Sequence, residues 1–239
     1  MLASLKPIAP VYCVHPRKLA DAADEFLEGF PGRVLYAVKA NNDPAVIDCL
    51  HDAGVRHFDC ASLAEIELIA GRYGDAKCYF MSPVRLPGDA QSAYTRHGCR
   101  HFMVDSVAAI TELANEIDTA NCVVFARMAV SHESAVEDLS SKFGAAPDDI
   151  PAILEAIRAS GAEPALAFNV GSGVRSPAAY VYSMGVAADV LGRLPFRVRL
   201  VDIGGGFPRP YPGFEVPPLD EFFTAIRQAV EAMRLADDA

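Results

Sequence analysis

Residues 34–61 read VLYAVKANNDPAVIDCLHDAGVRHFDCA and contain one complete strand–helix unit. Val34–Ala40 is an apolar, β-rich run, which predicts a buried strand. Asp43-Pro44 then supplies a side-chain cap and a proline at the first helical position, where the missing N–H costs nothing. The helical stretch closes before Gly54, and His57–Ala61 opens the next strand.

Outward from this stretch the same unit recurs. Short apolar runs lie at Cys78–Met81, His101–Val104, Cys122–Val130, Ala165–Val170 and Val198–Ile203, with longer helical patterns between them. Ser62-Leu63-Ala64-Glu65 reads as a capping box, and Ser176-Pro177 repeats the cap–proline signal. Lys39, Asp59, Ser82, Asp105 and Arg127 mark successive strand ends, 20, 23, 23 and 22 residues apart. Such regular units predict a parallel sheet with both faces covered. A run of seven favours an α/β TIM-type (β/α) barrel over a doubly wound sheet, and polar residues gather where barrels build their sites. Seven of eight strands are evident. Two pieces stand outside the repeat. Val11–Val14 predicts an extra strand before a helix over Arg17–Phe30, and a Pro/Gly-rich loop, Pro208–Pro218, leads to a last helix near Leu219–Arg234.

Composition bounds the function. The 239 residues are 51% hydrophobic and 22% charged, enough for one sizeable core. A net charge of −10 argues against a nucleic-acid groove and suits either cationic substrates or plain solubility. Residues 1–10 lack the apolar core of a secretory signal, and no uncharged apolar run approaches a membrane span, so a cytoplasmic chain is expected. The six cysteines show no CxxC, and Cys13, Cys60, Cys78 and Cys122 sit in strand-like runs. Buried free thiols are expected, with no metal site.

Several residues carry possible chemistry. Lys39 reads either as a Schiff-base lysine whose charge burial disfavours, or as a strand-end lysine snorkelling to solvent. Gly204-Gly205-Gly206 after the last strand reads as a phosphate cradle or as a tight turn; it fits neither a dinucleotide nor a Walker fingerprint. Asn169 within FNVGSG (168–173) is a site residue or turn chemistry, and Ser140 within LSSKFGA (139–145) a phosphate donor or a solvated loop. Asp59 and Arg127 each end a buried run and need partners, in a ligand or in each other.

Together the segments YAVKAN, HFDCAS, DLSSKFGA, FNVGSG and LVDIGGGFP, in this order, resemble the fold-type-III pyridoxal-phosphate (PLP) decarboxylases, in their ornithine decarboxylase flavour. The resemblance covers nearly all of the chain but only the family's barrel. It implies that residues 1–239 form a PLP-binding (β/α) barrel domain, ending before the eighth strand. It implies Lys39 as the catalytic Schiff-base lysine, Gly204, Gly205 and Gly206 with Ser140 as the phosphate site, and Asp59 and Arg127 as residues lining the cofactor. Asn169 stands where the family has a histidine stacked on the pyridine ring. The implied reaction is decarboxylation of a basic amino acid, ornithine with lysine or arginine as variants, by a homodimer. The family's Glu-Pro-Gly-Arg strand and C-terminal β domain do not follow Phe207. The alternatives are therefore a fragment, one part of a split enzyme, or a regulatory homologue.

Overall fold

The computed structural model describes residues 6, 8–132, 142–233 and 235–236. Helix α1 (Pro16–Gly29) precedes strand β1 (Tyr36–Ala37), which passes into a 3₁₀ turn over Val38–Ala40. Then follow α2 (Pro44–Asp52), β2 (His57–Cys60), α3 (Leu63–Arg72), β3 (Lys77–Phe80), α4 (Asp89–His97), β4 (His101–Val104) and α5 (Val107–Glu116). A short 3₁₀ turn leads to β5 (Val123–Met128), α6 (Ile150–Ala159), β6 (Glu163–Phe168), α7 (Ala178–Leu191), β7 (Val201–Asp202) and α8 (Leu219–Ala232). The strands form one parallel sheet in the order β1 to β7, each beside its neighbour in sequence, curled as in a TIM-like barrel.

Local chemistry starts the helices. Asp43 Oδ1 accepts the Ala45 N–H at 2.8 Å and opens α2. Ser62 Oγ accepts the Glu65 N–H at 3.3 Å while the Glu65 carboxylate takes the Ala61 N–H at 2.7 Å, a reciprocal cap for α3. Ser106 Oγ accepts the Ala109 N–H at 3.1 Å and caps α5 one way. Each cap lies a few residues past a strand end, so the chain turns sharply and leaves that end facing one rim of the sheet.

Side-chain alternation divides every strand in two. One parity, including Phe58, Phe80, Phe102, Val124, Ala126, Leu166 and Phe168, packs under the helices in the main core. Each such ring contributes about 2–3 kcal/mol of transfer free energy. The other parity lines the barrel. Tyr79, Met81, Met103, Phe125, Ala165 and Ala167, with Leu35, Val123 and Leu200 packed on them, form a second, smaller apolar cluster. The inner parity turns polar at both ends: Asp59, Arg127 and Asp202 at the carboxyl ends, His57, His101 and Glu163 at the amino ends.

The amino end is tied together by Tyr79. Its hydroxyl accepts from Arg33 Nη1 at 3.0 Å and meets His57 Nδ1 at 3.1 Å, and its ring lies 4.0 Å from that of His101. Arg199 makes two contacts with the Glu163 carboxylate, at 2.8 and 3.0 Å. Burial, helped by the charges of Arg33 and His57, pushes His101 down to about 4.

Several expectations are corrected. Val11–Val14 forms no strand: Val11, Tyr12 and Val14 are exposed, and no strand among the described residues supplies ladder hydrogen bonds. The first and last barrel strands have two residues each, shorter than the apolar runs predict, because each pairs with one neighbour only. Cys13 is exposed, not buried, whereas Cys99 joins Cys60, Cys78 and Cys122 in the core; all six cysteines are free. No helix among the described residues is long and apolar enough to cross a membrane.

Candidate active site at the carboxyl rim

Pairing register brings the rim residues into rows. Asp59 lies opposite Ala37, two residues before Lys39, and Arg127 lies opposite Ala167, which in turn lies opposite Asp202. Lys39 itself sits past the strand, on the 3₁₀ turn, and is exposed. Of the two readings of its position, buried or reaching solvent, the second describes it, since β1 ends at Ala37 and the turn follows.

Asp59 is a strongly perturbed group of the rim. Its Oδ1 is buried and accepts no hydrogen bond among the described residues. Burial pushes its carboxyl up to about 7; Asp202 and Glu65 add to the rise, while Lys39 and Arg127 oppose it. Of the two expected partners, no ion pair joins Asp59 to Arg127 among the described residues. Burial also raises the Asp202 carboxyl, against the pull of the Gly204 N–H, Arg127 and Lys39. Asp202 is a rim residue that reading the sequence passed over. Its signal was its place, last on a strand and just ahead of three glycines.

Arg127 is held by the segment after β5. The Phe143 ring lies 5.3 Å from its guanidinium carbon, and the Ala145 N–H donates to its carbonyl at 2.9 Å. Gly144 (φ +103°) packs so close that a Cβ there would lie 2.8 Å from Ala129 N. Its N–H reaches Asp105 Oδ2 at 3.4 Å. Burial lowers the Arg127 pKa, against the pull of Asp202, Asp59 and Asp105. In the segment Lys142–Ala145, then, the visible role belongs to Phe143, Gly144 and Ala145. Ser140 lies outside the described residues.

The loops after β6 and β7 interlock. Asn169 Oδ1 accepts the Gly171 N–H at 2.9 Å, so its amide oxygen serves its own turn. A Cβ on Gly204 (φ +69°) would lie 2.6 Å from the Phe168 carbonyl oxygen, and one on Gly206 (φ +100°) 2.3 Å from that of Gly171. Gly205 is different: it is exposed, and a Cβ would meet nothing within 4 Å. Two glycines thus let the loops touch, while the middle one borders open space. The Gly204 N–H is taken by Asp202 Oδ1 at 2.8 Å. The N–H groups of Gly205 and Gly206 find no acceptor among the described residues.

These features suit PLP: an exposed amine at Lys39, a buried carboxyl oxygen without a partner, a cation on the facing strands, and two free amides on a glycine loop. Comparison with known proteins agrees. The family model described as pyridoxal-dependent decarboxylase, pyridoxal binding domain, matches residues 16–238. The ornithine decarboxylase of Leishmania donovani is 30% identical over 211 residues, 85% of this chain and 29% of that protein. The solved lysine decarboxylase of Selenomonas ruminantium superposes with a TM-score of 0.84 at 26% identity, over 97% of this chain and 61% of that one. The arginine decarboxylase of Paramecium bursaria Chlorella virus, solved with agmatine bound, gives 0.79 at 27% identity, over 93% and 60%. The chain thus spans less than two thirds of each relative. With the matched family model covering all but its first residues and its last, the chain belongs to the pyridoxal-dependent decarboxylase family and corresponds to its pyridoxal binding domain.

Proposed function

We propose that this chain binds PLP at the carboxyl rim and forms the cofactor half of a decarboxylase acting on a basic amino acid: ornithine, lysine or arginine. The observation that carries the proposal is the rim itself, where Lys39, Asp59, Arg127 and Asp202 act on one another's charges and Asp202 holds the Gly204–Gly206 loop, in a chain of this family. The substrate class rests on the relatives, which are ornithine, lysine and arginine decarboxylases. The net charge of −10 favours the approach of cationic substrates. A cytoplasmic setting is supported by six free cysteines. A homodimer rests on the resemblance alone.

Bound there, PLP supplies a sink for the electron pair left on Cα when carbon dioxide departs. The residues would divide the remaining work. Lys39 provides the amine that attaches the cofactor, free to swing because it sits on a turn at the rim. Asp59, poised at about 7, holds or releases a proton beside that amine. Arg127, braced by Phe143, keeps a fixed positive charge between Asp59 and Asp202. The glycine loop offers N–H donors to the phosphate. Asn169, engaged in its own turn, serves to brace the loops; its amide gives little of the ring overlap that a histidine would provide.

The test is to add PLP, reduce with borohydride and map the adduct by mass spectrometry, alongside carbon dioxide release from carboxyl-labelled ornithine, lysine and arginine. The adduct is expected on Lys39 and lost in Lys39→Ala. A label on another lysine, or none, rejects the site, and release from none of the three amino acids by the whole decarboxylase that holds this half rejects the substrate class.

A further inference from the structure

A tyrosine outside the rim is hydrogen-bonded to the glycine loop. Tyr180 is fully buried in α7, and its hydroxyl donates to the Gly205 carbonyl at 2.8 Å. No peptide bond among the described residues is cis. In a trans peptide the carbonyl of one residue and the N–H of the next point to opposite sides. Fixing the Gly205 carbonyl inward therefore fixes the Gly206 N–H outward, to the exposed side of the loop. The next peptide is fixed too, since the Gly206 carbonyl accepts the Val174 N–H at 3.0 Å. The tyrosine ring stacks on Phe207 at 4.9 Å, and Phe207 packs edge-on against Phe26, Phe222 and Phe223 at 5.2, 6.2 and 5.9 Å. The loop is thus held at its entry by Asp202, at its middle by Tyr180 and at its exit by an aromatic cluster.

A glycine peptide without such a hold flips easily, because glycine populates both signs of φ. Flipped, it would present a carbonyl oxygen to the anion and repel it. We infer that Tyr180 is a positioning residue for the anion site: its hydroxyl locks the Gly205–Gly206 peptide with the N–H turned toward a phosphate monoester. This rests on the PLP reading for the identity of the monoester, but the amide orientation can be examined without PLP.

The experiment compares wild type and Tyr180→Phe, which keeps the ring and removes the hydroxyl. Affinity is measured for PLP and for pyridoxal, which lacks the phosphate, and glycine amide shifts are followed by NMR during titration with inorganic phosphate. PLP binding is expected to weaken about tenfold in the variant, the loss of one aligned hydrogen bond, with pyridoxal unchanged. In wild type the Gly206 amide is expected to shift with inorganic phosphate, and in the variant much less. Equal weakening for both compounds, or none for either, overturns the inference. So does a wild-type Gly206 amide that ignores phosphate. A wild type that shifts with phosphate yet forms no Lys39 adduct overturns the PLP reading instead. If Tyr180→Phe does not fold, hydrogen exchange in wild type decides: the Gly206 amide must exchange freely and gain protection on adding phosphate.

Discussion

Asp59 shows what a buried carboxyl without a partner costs. With its pKa pushed up to about 7, the folded chain holds a proton that the unfolded chain, with an ordinary carboxyl at 3.8, has lost. Folding therefore takes up a proton between about pH 4 and 7, and the contribution of Asp59 to stability falls as pH rises through that window. Asp59→Asn removes the penalty. Urea melts at about pH 8 should show the variant more stable, by up to about 3–4 kcal/mol, with no difference near pH 4. Equal stability at pH 8 would rule out a desolvated carboxylate there. At this scale much of the site was legible. Lys39, Asp59 and Arg127 stand out as charges at the tips of apolar runs, and that pattern needs no structure to be seen. The sequence left the burial or exposure of Lys39 open, because the choice depends on β1 ending at Ala37. Tyr180 was not legible either: its partner is 25 residues away in sequence, and nothing local in a helical tyrosine announces it.

Among the elements, caps and turns were legible where the signal is local. Asp43, Ser62 and the glycines past the last strand act on neighbours within a few residues. Strand limits were not, because a strand exists only where a partner satisfies its backbone. Val11–Val14 has the composition of a strand and no ladder, and the long apolar runs around β1 and β7 yield two paired residues each. The glycine loop gives a sharp contrast to measure. Gly206→Ala would push a methyl to 2.3 Å from the Gly171 oxygen at φ +100°, and should destabilise by roughly 2–4 kcal/mol. Gly205→Ala, facing open space, should stay within about 1 kcal/mol of wild type. Similar denaturation midpoints for the two variants would refute the interlocking of the loops.

For the whole molecule, acid is the expected weakness. His101 lies at about 4 when folded, below the ordinary imidazole value of 6.5, and burial moves His57 in the same direction. Their contribution to stability is complete above about pH 6.5 and is lost as pH falls toward 4, since unfolding lets the rings protonate. His101→Phe keeps a ring against Tyr79 and removes one titration. It should recover about 2–3 kcal/mol of the acid loss, read as a lower midpoint pH in acid unfolding. An unchanged midpoint would mean that the amino-end cluster does not govern acid stability.

The small apolar cluster inside the barrel gives this a wider consequence. It lies between two charged rings, and the charges acting most strongly on Asp59 (Lys39, Asp202, Glu65 and Arg127) differ from those acting most strongly on His101 (Arg33, His57, Glu163 and Arg199). Tyr79, Met81, Met103, Phe125, Ala165 and Ala167 form an uncharged layer that sets the two ends apart by distance. Two proton equilibria thus sit at opposite ends of one tube under different neighbours, so acid tolerance can be altered at one end while proton chemistry at the other stays tuned.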